Sequence, residues 1–366
     1  DDPELAEAGR AAFRALEEGT DPEVRAKWER ITKLSLLEFD KIYDRLGVSF
    51  DEVRGEAYYE THLEGTVQRI EDTEITEVSE GALIVDLTHI SENTPPCLLR
   101  KTDGTTLYAT RDLAAVFHRW ELYEFERCLY VVGGDQRLHF QQLKGVLDRM
   151  KLEWEERVEH IAFGMMRLPE GRMSTRKGRV VFLEDVLDRA VEEALRIIKE
   201  KSPDLANPEA VAEQIGVGAV VFNDLRRERI KDVEFNWEEI LSFEGETGPY
   251  AQYPHARLSS ILRKAEARGE GQGEPDWTAL EEASGVLLRI GRFPDVIRSA
   301  ARNAEPSELS TWVLGLAREV NGWYGANRVL GQDSGVTTAR LALVRATQEA
   351  LAAGLRLLGL AAPAEM

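Results

Sequence analysis

Apolar residues recur at steps of three and four along the start of the chain, which is the spacing of one helix face. Residues 4–46 carry this pattern through Phe39 and Leu46, and Gly47 follows as a helix stop. From about residue 58 to residue 87 the pattern shifts toward strands, in the stretches VQRI, TEITEV and ALIVDL. We therefore expect a helical start followed by a small β-rich insertion.

The middle of the chain alternates strand and helix patterns. The stretch LLRKTDGTTLYAT predicts a hairpin around Asp103 and Gly104, and RDLAAVFHRW predicts a helix after it. The stretch CLYVVGGDQRLHFQQLKGVLDRM predicts a buried parallel-type strand, a glycine turn and a helix. A further strand, HIAFGMMRL, leads into the loop EGRMSTRKGRVV, and VLDRAVEEALRIIKEK predicts the next helix. Ligands of doubly wound sheets bind at the carboxyl ends of such strands, so both connections are candidate sites.

From Gln214 onward the chain is expected to be wholly helical. One segment runs through Asn223, a helix begins near Gly248 and Pro249, and at least three more helices follow up to Met366. Proline suits a first helical turn because its missing N–H is not needed there. The stretch EARGEGQGEPDW is typical of a surface loop or linker.

Composition limits the size and the partners of the protein. With 366 residues, 43% of them hydrophobic and 31% charged, the chain can bury real cores and divide into two or three domains. The formal net charge is -20, yet residues 283–366 contain nine Arg, no Lys and seven Asp or Glu. The C-terminal part can therefore meet a polyanion without strong repulsion.

Targeting signals and cysteine frameworks are not evident. The acidic start DDPELAEAGR and the short apolar stretch around Arg356 do not fit a targeting or membrane-spanning segment, so we expect a cytosolic protein. Cys97 and Cys128 are the only cysteines, and their spacing suggests neither a disulfide framework nor a zinc site. We predict two buried thiols and no metal site.

Residues 170–181, EGRMSTRKGRVV, place four cations in a chain that is acidic overall. Gly171 and Gly178 bracket cations and hydroxyls near a strand end, so the loop could close over a triphosphate and neutralise charge as pyrophosphate leaves. A solvated basic face and a nucleic-acid patch are the alternatives for a basic cluster of this kind.

The sequence RMSTR resembles the KMSKS signature of class I aminoacyl-tRNA synthetases, in the variant of the arginyl-tRNA synthetases. The stretches LLRKTDGTTLYATRDLAA, YVVGGDQRLHFQQL, GRMSTRKGRVVFLEDVLDRA and FEGETGPYAQYPHARLSSILRK resemble the same family in the same order. The resemblance covers essentially the whole chain and is weakest in the β-rich insertion.

The resemblance implies an α/β fold. It predicts the second half of a class I Rossmann-type domain with the inserted β-rich segment in residues 1–180, a helical connection in residues 181–245, and an all-α, DALR-type anticodon-binding domain in residues 246–366.

Two departures from the family pattern stand out. The signature has Arg172 at its first position and Thr175 at its fourth, and a guanidinium binds phosphate in a different geometry from an ammonium. None of the six histidines belongs to an HxGH motif, which in class I synthetases stabilises the phosphates from the other side. We therefore expect this chain to be the C-terminal part of a longer synthetase and not to charge tRNA by itself.

The resemblance implies a set of ligand-binding residues at the strand ends. Tyr108 and Asp112 are four positions apart, so one helical turn can carry both side chains on one face. By resemblance these two residues and Gln136 bind arginine; from spacing alone they would instead be a core aromatic, a helix cap and a solvated turn residue.

The implied ATP-binding residues are Gly133, Gly134, Asp135, His139, Gly164, Met165 and Met166. The implied catalytic cations and hydroxyl of the basic loop are Arg172, Ser174, Arg176 and Lys177.

Two C-terminal stretches interleave aromatic rings with arginines, which is what single-stranded loop recognition requires. The rings could instead fill helix–helix interfaces. The implied tRNA-binding residues are Tyr250, Gln252, Tyr253, His255, Arg257, Trp323, Tyr324, Asn327 and Arg328.

The expected parent activity is ATP-dependent activation of L-arginine and its transfer to tRNA(Arg), with magnesium accompanying ATP as substrate and no tightly bound cofactor. We expect a monomer without membrane contacts. Two alternatives remain: a non-catalytic tRNA-binding protein, and a class I synthetase for another amino acid such as cysteine or glutamate.

Overall fold

The computed structural model describes residues 3–168, 171–172, 180–240 and 245–366. The helices are α1 Pro3–Glu18, α2 Pro22–Leu46, α3 Leu63–Glu71, α4 Tyr108–Tyr123, α5 Arg137–Arg149, α6 Leu183–Lys201, α7 Pro208–Leu225, α8 Trp237–Ile240, α9 Gly248–Arg268, α10 Ser284–Gly291, α11 Phe293–Asn303, α12 Pro306–Ala326 and α13 Ser334–Leu357. The strands are β1 Thr76–Ser79, β2 Ala82–Val85, β3 Cys97–Arg100, β4 Cys128–Gly133, β5 Val158–Phe163, β6 Met166–Leu168, β7 Gly171–Arg172 and β8 Val233–Glu234. No helix within these described ranges is long and apolar enough to cross a bilayer.

The N-terminal helices follow the apolar periodicity. Asp21 caps α2 by accepting from the backbone N–H groups of Glu23 and Val24, and Gly47 ends the helix at φ 66°. Arg45 then ties α2 to the α6–α7 pair, at 2.7 Å from Asp188 and 2.9 Å from Glu213.

The inserted segment contains fewer strands than predicted. Strands β1, β2 and β3 form an antiparallel sheet, but the stretch VQRI lies in helix α3. Its Val67 and Ile70 are both buried, three residues apart, which is a helical spacing that a four-residue stretch cannot distinguish from a strand. The predicted turn at Asp103 and Gly104 is confirmed, with Gly104 at φ 85° and a bridge from Arg100 to Thr106.

The strand, turn and helix predicted after residue 127 are confirmed. Strands β4 and β5 pair in parallel with Cys128 opposite Val158, and α5 follows the glycine turn. One core joins this unit to α4 and to the β1–β3 sheet through Leu99, Leu113 and Leu143. The Thr110 hydroxyl donates to the Leu99 carbonyl at 2.6 Å, which fixes the start of α4 beside β3.

The stretch HIAFGMMRL is two strands rather than one. It breaks at Gly164 and Met165, and β6 then joins a separate sheet of order β7–β6–β8. Strand β8 is also an exception to the wholly helical pattern predicted after Gln214, because two residues pair in parallel with β6.

The C-terminal helices form a second core. Its fully buried side chains include Phe222 of α7, Leu258 of α9, Leu316 of α12 and Leu351 of α13. The predicted loop after residue 268 is confirmed, since Gly269 ends α9 at φ 65°. The two cysteines are free thiols, but Cys128 is only half-buried. Cys97 is buried, and that burial raises its pKa to about 12.

Candidate functional site

The carboxyl ends of β4 and β5 bring two predicted ATP-binding segments together. A Cβ added to Gly133 would lie 3.2 Å from the Met165 sulfur, and one added to Gly134 would lie 3.4 Å from the Phe163 carbonyl oxygen. Asp135 follows in the same turn with its side chain exposed. Parallel strands end at one edge of a sheet, so residues 133–135 and 163–165 form one surface there.

Backbone contacts fix the turn after β5. The Gly164 N–H donates to the Arg229 carbonyl at 2.7 Å, and the Met165 N–H donates to Asp232 Oδ1 at 2.8 Å. A Cβ on Gly164 would lie 2.2 Å from the Lys231 carbonyl oxygen, which no real side chain tolerates. Only a glycine therefore lets residues 228–232 pass directly behind the turn. Met166, the next predicted residue, is partly exposed in β6.

One polar side chain of α4 and one of α5 form a hydrogen-bonded pair. Asp112 lies one turn after the start of α4 at Tyr108, and His139 lies in the first turn of α5. His139 Nε2 donates to Asp112 Oδ2 at 2.6 Å. The pair joins a residue predicted to bind arginine to one predicted to bind ATP.

Tyr108 and Gln136 remain open to solvent beside this pair. Tyr108 is 71% exposed, so the core-aromatic alternative does not hold for it. Gln136 ends the short 3-10 turn before α5 and is also exposed. Asp112 lies within the first turns of α4, whose N-cap residue is Leu107, so the helix-cap alternative for Asp112 also fails.

Aromatic packing supports the first turn of α5. The Phe140 ring stacks on His160 at 4.4 Å between centroids and lies 5.1 Å from Tyr130. The Tyr130 hydroxyl accepts from Arg119 at 2.6 Å, and burial raises the pKa of that hydroxyl. The packing of Phe140 therefore fixes the first turn of α5, which carries His139.

The basic loop is described only at its start. Arg172 lies in β7, where its backbone pairs with Arg167 of β6. The other predicted residues of the loop, Ser174, Arg176 and Lys177, lie outside the described residues.

A second candidate site lies on α9. The Arg257 guanidinium carbon is 4.8 Å from the Tyr253 ring centroid and 5.4 Å from that of Tyr324. The three side chains line an open groove of about 580 Å³ together with Lys201 and Lys264. The groove therefore combines aromatic faces with cations.

Four residues predicted to contact tRNA are buried in the helical domain instead. Gln252 is 0% exposed and donates to the Ala361 carbonyl at 2.9 Å, and His255 is 4% exposed. Trp323 and Asn327 are buried at the end of α12. The prediction of tRNA contact is withdrawn for these four side chains, because a nucleic acid could reach them only by opening the core.

The remaining predicted residues keep some exposed surface. Tyr250 is half-buried against the helical core and lines a neighbouring apolar cavity of about 310 Å³ with Tyr253 and Pro249. Arg328 is exposed after the end of α12. Across the described ranges, no group of three or more His, Cys, Asp or Glu side chains could hold a metal ion.

Comparison with protein families decides the identity of both regions. Residues 1–237 match the family "tRNA synthetases class I (R), catalytic domain", and residues 251–366 match the "DALR anticodon binding domain". The chain belongs to the arginyl-tRNA synthetase family. The predicted fold class, a class I catalytic domain followed by a DALR-type helical domain, is confirmed.

Individual members of the family match along the whole chain. An arginine–tRNA ligase of an Exiguobacterium species is 48% identical over 365 residues, and one of Clostridium botulinum is 44% identical over 368 residues. Each alignment covers 100% of this chain and 64% of the relative. The Thermus thermophilus arginyl-tRNA synthetase structure superimposes with a TM-score of 0.85 at 28% identity, covering 100% of this chain and 68% of that one.

Sequence reasoning missed the segment that packs behind the turn after β5. Residues 228–232 contact Gly164 and Met165 although more than sixty positions separate them. The stretch RRERIKD is a charged cluster directly after a helix, and this cluster is the only local pattern that could have marked the segment as a contact region. Nothing local in it specifies which strand end it packs against.

Proposed function

We propose that this chain supplies the arginine- and adenine-facing side of an arginine–tRNA ligase site, together with helices that bind tRNA(Arg). The reaction joins L-arginine to ATP as arginyl-adenylate with release of pyrophosphate, and then transfers the arginyl group to the terminal adenosine of the tRNA. The observation that carries the proposal is the Asp112–His139 pair beside the two strand-end turns, in a chain of this family.

Asp112 is the proposed partner of the substrate guanidinium. A guanidinium carries five N–H donors in a plane, and a carboxylate can accept several of them at once. His139 holds Oδ2 at 2.6 Å, which fixes the carboxylate while leaving it further acceptor capacity. Tyr108 and Gln136 offer an aromatic face and an amide to the rest of the amino acid.

ATP is the proposed ligand of the two turns. The Gly164, Met165 and Met166 backbone would receive the adenine, and Asp135 would accept from a ribose hydroxyl. His139, Gly133 and Gly134 border the same surface. Arg172, Ser174, Arg176 and Lys177 are proposed to bind the phosphates, with magnesium as part of the substrate. Positioning of the substrates and stabilisation of the developing charge then account for the rate acceleration, and no covalent intermediate on the protein is needed.

The α9 groove is proposed to take unpaired tRNA bases. Tyr253 and Tyr324 offer stacking faces, and Arg257, Lys201 and Lys264 offer positive charge for phosphates. We also propose that the protein acts as a cytoplasmic monomer.

The arginine assignment is tested by ligand-dependent thermal stability. The assay uses a protein that contains this chain at the full length of its relatives. L-arginine should raise the melting temperature of the wild type and of Asp148→Asn, but not that of Asp112→Asn. Asp148 is a matched control, because it forms another surface pair with a histidine, His89, at 3.1 Å.

Kinetics of the same variants give the size of the effect. Asp112→Asn should lower kcat/KM for arginine roughly 10- to 150-fold, because a hydrogen bond to a charged group contributes about 1.5–3 kcal/mol. Equal arginine affinity in the wild type and Asp112→Asn would show that another residue binds the guanidinium. Binding of cysteine or glutamate in place of arginine would favour the alternative synthetases.

The expected inactivity of the chain by itself stays a prediction. It is tested by aminoacylation of tRNA(Arg) with this chain and with the protein at its relatives' length. Charging by the longer protein only is the expected result. A longer protein that binds tRNA(Arg) but never charges it would favour the non-catalytic tRNA-binding alternative.

A further inference from the structure

Arg119 of α4 is a half-buried cation whose hydrogen-bond partner is a neutral side chain. Its Nη1 donates to the Tyr130 hydroxyl at 2.6 Å, and its guanidinium carbon lies 5.1 Å from the centroid of the Tyr130 ring. Among the residues that the structure describes, no carboxylate forms an ion pair with Arg119. Removing a cation from water without a counter-ion costs free energy, so a role beyond packing is expected for this side chain.

Helix periodicity places Arg119 on the face of α4 that carries Asp112. Seven residues, or about two turns, separate the two positions, and the rise between them is about 10.5 Å. Side chains of a helix lean toward its N-terminus, so the long side chain of Arg119 leans toward the turn of Asp112. Both residues therefore lie on the side of α4 that faces Tyr130 in β4.

Tyr130 connects Arg119 to the Asp112–His139 pair. Its ring centroid lies 5.1 Å from that of Phe140, which follows His139 in the first turn of α5. Burial raises the pKa of the Tyr130 hydroxyl, the charge of Arg119 opposes that rise, and the carboxylate of Asp112 adds to it. The hydroxyl is therefore protonated at neutral pH and lies within electrostatic reach of both charged side chains.

We propose that Arg119 is a positioning residue for L-arginine, which fixes Tyr130 behind the Asp112–His139 pair and gives the Asp112 carboxylate a standing counter-charge. This inference rests on the proposed function, in which Asp112 pairs with the substrate guanidinium. Arg119 acts through Tyr130 and does not contact the substrate. A carboxylate that its neighbours already hold in place loses less freedom when the ligand binds, so its affinity for the ligand is higher.

Separate measurements of arginine and ATP binding test this role. Calorimetry is performed on a protein that contains this chain at the full length of its relatives. Arg119→Met keeps an unbranched apolar stem but removes the charge and the N–H donors. Its Kd for L-arginine should rise about 3- to 15-fold, which is the fold-change for a lost hydrogen bond of ordinary strength. Its Kd for ATP should stay within about two-fold, because backbone contacts hold the Gly164–Met165 turn.

A double-mutant cycle tests whether Arg119 acts through the hydroxyl. Tyr130→Phe keeps the ring against Phe140 and removes only the oxygen that accepts from Arg119. Arg119→Met, Tyr130→Phe and the double variant should weaken arginine binding by similar factors, because each breaks the same contact. A double variant whose effect is the product of the two single effects would overturn the proposed route through Tyr130.

Arg69 provides the matched control. Its guanidinium carbon lies 4.3 Å from the ring centroid of Phe117, and its Nη1 lies 2.8 Å from Glu121 Oε1. Both partners belong to α4 but lie on the face away from Asp112. Arg69→Met should therefore leave the Kd for L-arginine within about two-fold of the wild type.

A conservative variant separates positioning from folding. Arg119→Lys keeps the charge and a donor for the Tyr130 hydroxyl but not the planar fork, so it should bind arginine more tightly than Arg119→Met. If Arg119→Met shows no cooperative thermal transition, Tyr130→Phe and Arg119→Lys decide the question. Wild-type arginine affinity in Arg119→Met, or in both Tyr130→Phe and Arg119→Lys, overturns the positioning role. An equal weakening in Arg69→Met overturns it as well.

The same titrations separate this inference from the proposed function. A wild type that does not bind L-arginine overturns the proposed function and the role of Arg119 with it. A wild type that binds arginine, with loss of binding in Asp112→Asn but not in Arg119→Met, overturns only the role of Arg119.

Discussion

Two polar clusters of this synthetase chain, one at the ends of β4 and β5 and one inside the helical domain, differ in the atoms that hold them. At the strand ends, backbone contacts of Gly164 and Met165 fix the turn, while the side chains of Tyr108 and Gln136 stay exposed. In the helical domain, hydrogen bonds of buried side chains hold the cluster together. His255 Nδ1 lies 2.9 Å from the Pro363 carbonyl, and its Nε2 lies 2.9 Å from the Gln348 amide.

The difference separates sites from scaffolding. A side chain whose polar atoms already face internal partners has little left to offer a ligand, and replacing it exposes the partners as unpaired buried groups. An exposed polar side chain on a backbone-fixed turn costs little to replace and remains free to bind. Substitutions of the buried side chains in the helical domain should therefore lower stability, and substitutions of the exposed side chains at the strand ends should lower ligand binding.

The largest effect is expected for His255→Ala. The substitution leaves a cavity and removes the buried partner of the Pro363 carbonyl and the Gln348 amide, so it should cost about 2–4 kcal/mol of unfolding free energy in urea. His89→Ala removes an exposed histidine that pairs with Asp148, and this control should cost less than about 1 kcal/mol. A marked loss of tRNA affinity without loss of stability would reverse the interpretation of His255 as a core residue.

Gly164→Ala comes next. Its new methyl group would meet the Lys231 carbonyl at 2.2 Å, so the backbone has to shift, at a cost of about 1–3 kcal/mol. Gly134→Ala is the matched control in the same cluster, because its Cβ would meet only ordinary contacts at 3.4 Å and beyond. Urea unfolding of both variants checks this prediction, and equal costs would argue against a backbone-fixed turn.

Tyr253→Ala should affect binding rather than folding. The ring is 44% exposed on α9, next to the buried Gln252, and a stacked base contributes about 1–3 kcal/mol. We expect tRNA(Arg) affinity to fall roughly 5- to 150-fold in a filter-binding titration, with an unfolding free energy within about 0.5 kcal/mol of the wild type. A variant that loses stability but keeps its affinity would place Tyr253 with the core residues.

The smallest effect is expected for the pH dependence of the unfolding free energy. Burial lowers the pKa of His255 below the ordinary value of 6.5, so the unfolded chain takes up a proton before the folded one does. Stability from this residue is therefore complete above about pH 6.5 and declines as the pH falls from there through the folded pKa. In urea titrations from pH 7.5 to pH 5.5, the stability gap between the wild type and His255→Gln should narrow. A gap that is constant across this range would mean that His255 does not titrate differently in the folded state.

Much of the fold was predictable because its signals are local. The strand, glycine turn and helix of residues 128–149, the helix of RDLAAVFHRW and the helix stop at Gly47 were all confirmed. The misassigned VQRI stretch is short and apolar, and such stretches fit a strand or a helix equally well until their neighbours pack. The break at Gly164 was missed for a different reason. It is imposed by residues 228–232, which pack behind it from a distant part of the chain.

The geometry of the candidate site was not predictable from the sequence. The sequence predicted Asp112 to bind arginine and His139 to bind ATP. In the structure, His139 Nε2 lies 2.6 Å from Asp112 Oδ2, so the two side chains form one pair. Arg229 was not singled out, because an arginine in a charged stretch gives no sign of the three carbonyl and amide groups it contacts.

The sequence by itself determined the strand, glycine turn and helix of residues 128–149, the helical character of most of the C-terminal part and the residue types that are gathered on α9. Only the tertiary structure decided which of those residues face outward. Gln252, Tyr253, His255 and Arg257 lie within two turns of one helix, and residues 361–363 cover the side that carries Gln252 and His255. A helix carries side chains on every face, and the face that is buried is set by what packs against it, which the sequence of the helix does not contain.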